Sequence, residues 1–344
     1  MKNSLSKIII EDSKNVMNKI NFSSLSNKSI LITGSTGLIG TYLLACLYHL
    51  SISKKFKLKV NILIHSDLPE FITSLIKSLD CSVYQGDITD RRFCKTLPNT
   101  DYIIHAAGYG QPGKFMENPI KTLQINTTVT LDLFEHLNKD GSFLFLSSSE
   151  IYSGLLSPPF NESQIGNTTT DHTRSSYIEG KRTGETICNE YRRLGINAKS
   201  ARLSLAYGPG TKRHDKRVLN NFIEKALTQE KIDMLDQGEA KRTYCYVTDA
   251  VEILWNILLF GKDNIYNVGG VSRITIAELA KLIAKETGVS VIFPKHSSDL
   301  LGAPDDVYLD LTKIQQEFNK HQFVSLEDGI RTTINWQKNL YNKS

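Results

Sequence analysis

The sequence has few of the features that mark secreted, membrane-bound or metal-binding proteins. Its 344 residues include only five cysteines, which lie far apart and in no metal-ligand spacing. That pattern predicts neither a disulfide framework nor a metal site. No apolar run reaches the length of a membrane span, and the N-terminus has no signal-peptide core. We therefore expect a cytoplasmic protein with reduced thiols, no membrane association and no metal.

The sequence also has little excess charge of one sign. Its 41 Lys and Arg residues and 36 Asp and Glu residues leave a net charge of +5, and the basic residues are scattered. This distribution argues against nucleic acid as a partner and favours a small anionic ligand. Repeats and low-complexity tracts are missing as well, and 40% of the residues are hydrophobic. A chain of this size forms one large two-lobed domain or two closely associated ones.

The most informative stretch runs from Ser29 to Leu44. A short apolar run ends at Thr33, and Gly34, Gly37 and Gly40 then follow at the spacing G-x-x-G-x-x-G before an apolar helical pattern. In a dinucleotide site, the first glycine allows the tight turn, the second lets backbone N–H groups approach a pyrophosphate, and the third lets helix and strand pack closely. The diphosphate would lie at the positive end of the helix. A glycine triplet by itself marks only a turn, but its position between strand and helix predicts a nucleotide site.

Strand and helix patterns alternate along the first two thirds of the chain. Long helical patterns cover Leu123 to Leu137 and Ser176 to Tyr191, and a shorter one covers Ser13 to Ile20. The apolar strand patterns after the first are Lys59 to His65, Ser82 to Tyr84, Tyr102 to Ala107, and Ser142 to Ser149. This alternation predicts an α/β fold with a doubly wound parallel sheet. Ligands in such sheets lie beyond the carboxyl ends of the strands, so the turns at Gly34, Asp87, Ala107 and Ser148 should meet at one cleft.

A tyrosine and a lysine four residues apart stand out in the second half of this region. Tyr177 and Lys181 share one face of a helical stretch, and Ser148 closes the hydroxyl-rich strand end. A phenol has a pKa of about 10, which a nearby cation lowers. Tyr177 could then act as a general base while the serine places a substrate alcohol. The alternative is an exposed aromatic–lysine pair, which the accompanying dinucleotide turn makes the weaker interpretation.

Taken together, the motifs resemble the extended short-chain dehydrogenase/reductase family, the NAD-dependent epimerase/dehydratase group that acts on nucleotide sugars. The resemblance covers about residues 28–335 and rests on TGSTGLIG, GDI, HAA, NPIKTLQIN, SSSE, SYIEGK and ARLSLAYGP. It implies Ser148 as hydroxyl partner, Tyr177 as base, and Lys181 as partner of the ribose and the phenolate. It also implies an NAD site formed by Gly34, Thr36, Gly37, Leu38, Ile39, Gly40, Asp87, Ile88, Ala106, Ala107, Tyr177 and Lys181, with Asp87 at the adenine.

The resemblance further implies a Rossmann fold with a smaller α/β C-terminal lobe for the nucleotide sugar. We predict an N-terminal extension over residues 1–28 and an NAD-binding domain over 29–207, completed by about 244–270. The second lobe would comprise residues 208–243 and 271–344. The family pairs subunits through two helices, which correspond here to the patterns from Leu123 and Ser176. We therefore expect a homodimer, with a contact stripe at Leu131, Phe134, Ile187 and Tyr191.

Within the family, the motifs are most similar to those of UDP-glucuronate decarboxylases, also called UDP-xylose synthases. The 4,6-dehydratases have an aspartate where Ser149 stands, whereas the decarboxylases have Ser followed by Glu, as here with Glu150. The resemblance therefore implies decarboxylation of a UDP-hexuronic acid through a 4-keto intermediate, with Glu150 as a fourth catalytic residue. Nucleotide-sugar contacts are expected from Ser149, Lys121, Arg217 and Arg242. A C4 epimerase or dehydrogenase, a 4,6-dehydratase and a non-catalytic NAD(P)-binding sensor are the alternatives.

Two positions depart from the family pattern. Leu205 stands where the family's ARxFNxxGP strand offers an asparagine to the nucleotide-sugar diphosphate. His65 stands where many NAD-binding chains have an acid for the ribose 2′-OH, although Asp67 follows two residues later. The missing carboxylate leaves NADP open beside NAD as the cofactor, and Leu205 leaves the sugar nucleotide open.

Overall fold

A computed structural model describes residues 4–52, 56–213, 215–295 and 306–341. Parts of the predicted N-terminal extension and of the predicted second lobe fall outside these ranges. The strands are β1 (Lys28–Thr33), β2 (Leu58–Ile64), β3 (Cys81–Gln85), β4 (Thr100–His105), β5 (Leu137–Ser148), β6 (Asn197–Leu203), β7 (Leu205–Tyr207), β8 (Lys231–Asp233), β9 (Lys241–Tyr246), β10 (Ile265–Val268), β11 (Ser272–Thr275), β12 (Ser290–Ile292) and β13 (Asp306–Val307).

Helices connect most of these strands. They are α1 (Ser4–Met17), α2 (Leu38–Ile52), α3 (Glu70–Ile76), α4 (Arg91–Cys94), α5 (Pro112–Glu117), α6 (Pro119–Asn126), α7 (Thr128–Phe134), α8 (Ser175–Arg193), α9 (Val218–Gln229), α10 (Val247–Phe260), α11 (Ile276–Thr287), α12 (Thr312–Phe318) and α13 (Leu326–Tyr341). A short 3-10 turn, Ser149–Tyr152, follows β5 directly.

The largest sheet in the described part of the chain has seven strands in the order β3-β2-β1-β4-β5-β6-β10. Every neighbouring pair in it is parallel. Both faces are covered, because alternate side chains of β1 enter different cores: Ile30 and Ile32 pack with α2, whereas Leu31 packs with residues of α6 and α7. Parallel strands buried on both faces are typical of the doubly wound fold, and the α/β Rossmann prediction is confirmed.

Smaller sheets lie beside the main one. Among the described residues, β7, β11 and β13 all pair with β9, and β8 pairs with β12. These strands come from the region after residue 204, while β10 returns to the edge of the large sheet. Thr275 caps α11 by a capping box with Glu278, as its sequence pattern indicates. The division into a cofactor lobe and a substrate lobe remains a prediction.

Two helix predictions differ from the structure. The predicted Ser13 to Ile20 helix lies earlier, at Ser4–Met17, where α1 packs on α2 and α10. The prediction of one continuous helix from Leu123 to Leu137 is wrong. The helix α6 begins at Pro119 and is interrupted at Thr127, which has φ −117° and ψ −80°. At its other end, Leu137 already belongs to β5. β-Branched residues crowd the break, and the Thr127 hydroxyl donates to the Leu123 carbonyl.

Candidate active site

The glycine turn between β1 and α2 has the tight geometry that its spacing predicts. Gly34 has φ +69°, and a Cβ there would lie 2.4 Å from the Ala106 carbonyl oxygen. A Cβ on Gly40 would lie 2.4 Å from the Gly34 oxygen, so both positions exclude side chains. Gly37 is exposed, and a Cβ there would meet only the Gly34 oxygen, at 3.3 Å. The turn is therefore closed toward the protein and open toward solvent, where the first N–H groups of α2 lack intrahelical partners. These features fit a dinucleotide pyrophosphate.

The neighbouring cofactor candidates lie on the same turn or at adjacent strand ends. Thr36 and Leu38 are partly exposed at the start of α2, and Ile39 is buried. Ala106 and Ala107 follow β4 directly, and the Ala107 N–H donates to the Thr33 hydroxyl at 3.1 Å. For the turns after β1 and β4, the predicted meeting of strand ends is therefore seen in a direct contact.

Asp87 is held by an ion pair that joins it to α6. Its carboxylate accepts a hydrogen bond from Lys121 at 2.6 Å and others from the backbone and hydroxyl of Thr89 at 3.0 and 2.7 Å. Burial raises the pKa of Asp87, but the bonds from Lys121 and Thr89 outweigh it and lower the pKa to about 2. Ile88 beside it is buried. Lys121, predicted as a substrate residue, thus lies at the predicted adenine end, and its substrate role remains a prediction.

Tyr177 lies at the start of α8, close to the end of β5. Its ring stacks on the buried Phe115 of α5, with ring centroids 4.5 Å apart and planes 13° from parallel. Burial raises the pKa of Tyr177 to about 12, while its hydrogen bond with Ser148 lowers the value. Glu150 raises it further, and nearby arginines lower it. The structure therefore brings the predicted base and its serine together, with the phenol protonated at neutral pH.

Lys181 is buried one helical turn after Tyr177. Its Nζ donates to the Leu146 carbonyl at 2.6 Å and lies 5.6 Å from the centroid of the Tyr177 ring. Burial lowers the pKa of Lys181 to about 7, and the opposite charge of Glu185 acts against that shift. A Cβ on Gly108 would lie only 4.0 Å from this Nζ. The ammonium thus lies near both the Tyr177 ring and the loop after β4.

His105 is a packed core residue at the end of β4. It is 1% exposed, and its ring nitrogens bond the Thr33 hydroxyl at 2.8 Å and the Ile125 carbonyl at 2.9 Å. Burial lowers the pKa of His105 to about 4, so the imidazole is neutral at neutral pH. It therefore adds no charge beside Lys181.

The Glu150 carboxylate forms an ion pair with Arg174. Glu150 lies in the 3-10 turn after β5, beside Ser149, and both of its carboxylate oxygens accept from the Arg174 guanidinium, one of them from Nε at 3.1 Å. Arg174 is 9% exposed and its guanidinium carbon lies 5.3 Å from the centroid of the Phe115 ring. A bidentate, partly desolvated pair of this kind fixes the carboxylate in one orientation.

The predicted phosphate arginines have different surroundings. Arg217 forms a bidentate pair with the buried Asp215, with its Nη2 2.6 Å from Oδ2, and its charge lowers the pKa of Tyr177. Its guanidinium is therefore near enough to the base to act on it electrostatically. Arg242 lies on β9, where its Nη1 donates to the Lys241 carbonyl at 2.7 Å. Leu205 begins β7, and His65 lies exposed just after β2.

Sequence reasoning did not find Phe115, Arg174 or Asp215. Arg174 lies three residues before Tyr177, which places it one helical turn away and could have drawn attention to it. Asp215 lies two residues before Arg217, but its role depends on the loop conformation. Phe115 gave no signal, because its stacking partner is 62 positions further along the chain.

The described residues contain no group of three or more His, Cys, Asp or Glu side chains that could hold a metal ion. All five cysteines carry free thiols, and four of them are buried. None of the helices in the described ranges is both long enough and apolar enough to span a bilayer.

Comparison with known proteins gives consistent matches. The family model described as "NAD dependent epimerase/dehydratase family" matches residues 30–269. UDP-glucuronic acid decarboxylase 6 of Arabidopsis thaliana is 30% identical over 311 residues, which cover 89% of this chain and 87% of that protein. UDP-glucuronic acid decarboxylase 1 of Xenopus tropicalis is 28% identical over 322 residues, which cover 91% and 73% of the two chains.

Solved structures share the fold. The UDP-glucose 4-epimerase of Thermotoga maritima superposes with a TM-score of 0.76 at 23% identity, covering 91% of this chain and 99% of its own. The dTDP-glucose 4,6-dehydratase of Streptomyces venezuelae superposes with a TM-score of 0.78 at 21% identity, covering 90% and 97%. At these identities the likeness concerns the fold alone.

Proposed function

Because this chain belongs to the NAD-dependent epimerase/dehydratase family, we propose that it is an NAD-dependent enzyme that decarboxylates a UDP-hexuronic acid through a 4-keto intermediate. The family supports the nucleotide-sugar chemistry and the cofactor. Two relatives named UDP-glucuronic acid decarboxylase, at 30% and 28% identity, support the choice of reaction. The structural observation that carries the proposal is the bidentate Glu150–Arg174 pair beside the Tyr177 phenol.

The cofactor site is assigned to the glycine turn and the adjacent strand ends. Gly34, Gly37 and the first turn of α2 would hold the pyrophosphate, and Asp87 would contact the adenine. Lys181 would hold the nicotinamide ribose. When bound there, NAD would accept a hydride from C4 of the sugar and later return it.

Tyr177 would take the proton of the sugar 4-hydroxyl as C4 is oxidised. In the structure its phenol is protonated, with a pKa of about 12, so its activity as a base requires that a nearby cation favour the phenolate. Lys181, 5.6 Å from the ring centroid, is that cation. Ser148 would hold the 4-oxygen by a hydrogen bond, since its hydroxyl already bonds the phenol.

The ketone at C4 lies β to the C6 carboxylate, which weakens the C5–C6 bond. When that bond breaks, CO₂ leaves and its electron pair passes through C5 to the C4 oxygen. Tyr177, now protonated, and Ser148 would donate hydrogen bonds to the resulting enolate oxygen. A proton from solvent would then add to C5, and Tyr177 would return its own proton to the 4-oxygen as C4 is reduced.

Glu150 would act on the carboxylate end of the sugar. Its negative charge disfavours a substrate carboxylate nearby, and that repulsion ends as neutral CO₂ departs. Arg174 donates two hydrogen bonds to the Glu150 carboxylate and so fixes its orientation. Ser149, which lacks an acid group, provides no proton for the departing hydroxyl of a dehydration. Ser149 and Arg217 would contact the sugar nucleotide, and Arg242 its diphosphate.

The test compares products by mass after incubation of the NAD-saturated protein with UDP-glucuronate and with other nucleotide sugars. We expect a product lighter by one CO₂. Loss of one water would show dehydration, an unchanged mass would show epimerisation, and either result contradicts decarboxylation.

The Glu150→Gln variant tests the role of the carboxylate. Turnover should fall at least about tenfold with little change in affinity for UDP, because a rise of about 1.4 kcal/mol in the barrier to C5–C6 cleavage equals a factor of ten. Glu179→Gln is a matched control, since Glu179 is also paired with an arginine, Arg182, on the neighbouring helix. Equal rates for wild type and Glu150→Gln would contradict the proposed role.

A further inference from the structure

A buried charged cluster lies directly behind the candidate active site. We call Ser147, Tyr152, Glu185, Arg202 and Asn267 the Glu185 network. The Ser147 hydroxyl donates to Glu185 at 2.5 Å, and the Arg202 guanidinium donates to the two Glu185 oxygens at 2.8 to 3.3 Å. Arg202 also donates to the Tyr152 hydroxyl at 2.8 Å, and that hydroxyl donates to Asn267 at 2.7 Å.

Three members of the network stand close in sequence to a residue of the proposed site. Ser147 precedes Ser148 on β5, and Tyr152 ends the 3-10 turn that carries Glu150. Glu185 follows Lys181 by one turn on α8. Network and site thus share the end of β5, the 3-10 turn and one face of α8.

The pair at the centre of the network is almost completely desolvated, with Glu185 3% and Arg202 2% exposed. A buried ion pair of this kind is weak support for fold stability, because desolvation offsets most of the attraction. The Arg202 and Glu185 charges also differ in their surroundings. Arg202 is satisfied by Glu185, Tyr152 and two backbone carbonyls, whereas Glu185 acts electrostatically on Lys181.

We propose that Glu185, held by Arg202 and Ser147, is a positioning residue that acts through Lys181 and keeps its buried ammonium charged beside Tyr177. This inference rests on the proposed function only in taking Tyr177 as the base. Lys181 has one described hydrogen bond, to the Leu146 carbonyl, which orients the ammonium but carries no full charge. Glu185, buried one turn further along α8, carries the opposite charge that raises the pKa of Lys181.

The charged and titratable groups around Lys181 and Tyr177 determine in which direction the loss of Glu185 moves the pH–rate profile. Lys181 faces Tyr177 and Glu185 on its own helix and the neutral His105 on β4, while Tyr177 also faces Glu150, Arg174 and Arg217. Burial lowers the pKa of Lys181 to about 7, and Glu185 raises it. Without Glu185, the ammonium loses its proton at lower pH. The phenolate then forms only at higher pH, so the acid limb of the pH–rate profile moves upward.

The experiment compares Glu185→Gln with Glu190→Gln in the NAD-saturated protein. Glu190 is an exposed acid on the same helix, paired with Arg193. We expect the acid limb of turnover to move up by about one pH unit or more in Glu185→Gln, with rates below the limb falling about tenfold. Glu190→Gln should match wild type.

A second measurement does not need a substrate. The phenolate absorbance that wild type shows and Tyr177→Phe lacks is titrated in the NAD complex, and its midpoint should move upward in Glu185→Gln. If no nucleotide sugar turns over, the proposed function fails while this titration still tests Glu185.

Glu185→Gln leaves Arg202 unpaired and could fail to fold, so two further variants complete the test. The double variant Glu185→Gln/Arg202→Gln removes both charges, and its phenolate midpoint should stay shifted upward. Glu185→Asp keeps the negative charge and should return the phenolate midpoint toward that of wild type. Folded Gln variants with an unmoved acid limb and an unmoved phenolate midpoint would overturn the proposal.

Discussion

At the scale of single residues, the most informative feature of the candidate site is the environment of the Tyr177 phenol. The ring of Tyr177 is stacked on Phe115, and burial raises its pKa to about 12. In the proposed mechanism its hydroxyl depends on Ser148 for orientation and on Lys181 for charge. These contacts make Tyr177 the residue whose loss should affect chemistry most and structure least.

Tyr177→Phe keeps the stacked ring and removes only the hydroxyl. Turnover should fall on the order of 10²- to 10⁴-fold, because the general base is lost. NAD affinity and the melting temperature should stay close to those of wild type, as measured by titration and by thermal unfolding. Tyr191→Phe is the control, since Tyr191 stacks on Phe134 further along the same helix. Retention of more than about a tenth of the activity would exclude Tyr177 as the base.

We also expect single side chains to set how strongly the protein prefers NAD over NADP. His65 lies exposed after β2, and Asp67 accepts a weak hydrogen bond from Gln85 at 3.5 Å. We expect NAD to bind more tightly than NADP by a modest factor. His65→Asp should widen the preference, because a carboxylate near a 2′-phosphate costs about 1–4 kcal/mol. Titration of cofactor-free protein with both cofactors measures this.

His321→Asp is the matched control for this substitution, because His321 is exposed outside the proposed cofactor site. It should leave the ratio of dissociation constants unchanged. Tighter binding of NADP than NAD by wild type would contradict the prediction.

At the scale of elements, α1 is anchored by one carboxylate. Asp12 accepts hydrogen bonds from Tyr42 of α2 at 2.6 Å and from Tyr246, at the end of β9, at 2.7 Å. Both tyrosines are buried, so the N-terminal segment is joined to the helix of the glycine turn and to the smaller sheet. This contact makes α1 a structural part of the Rossmann layer.

Asp12→Ala leaves two buried hydroxyl groups without their acceptor. We expect the free energy of unfolding to fall by about 1–3 kcal/mol, as measured by urea denaturation at neutral pH. Glu11→Ala on the same helix removes only an exposed pair with Lys14 and should change stability by less than about 0.5 kcal/mol. Equal losses in the two variants would show that the tyrosine contacts do not anchor α1.

The pH dependence of this contact has a definite sign. Burial raises the pKa of Asp12, so the folded chain holds the proton at pH values where the unfolded chain has lost it. The carboxyl therefore costs stability progressively as pH rises above the unfolded pKa of about 3.9. Asp12→Asn, which stays neutral, should gain stability relative to wild type over that rise. A constant difference between the two proteins across this range would contradict the shift.

At the scale of the whole molecule, the predicted dimer depends on which apolar residues the fold leaves outside. Leu131 is 45% exposed on α7, and Ile120 is 67% exposed on α6. Phe134, which the sequence placed in the same stripe, is buried between Phe143 and Tyr191 of its own chain. The candidate contact surface is therefore narrower than the sequence stripe.

We predict a dimer in sedimentation at micromolar concentration, and Leu131→Glu should shift it toward monomer. A buried charge in a symmetric contact occurs twice, which makes its cost large. Leu235→Glu, at a residue 60% exposed and distant in sequence, is the control. A monomeric wild type would end the proposal.

The sequence by itself determined the glycine turn, the alternation of strands and helices, and the Tyr177–Lys181 pair. Each of these depends on residues within one or two helical turns, where spacing fixes geometry. The tertiary structure decided which side chains the functional residues contact. Glu150 meets Arg174 across 24 positions, Asp87 meets Lys121 across 34, and Asp12 meets Tyr246 across 234. Local patterns contain no information about such encounters, because they depend on which strand ends and helices the folded sheet brings together.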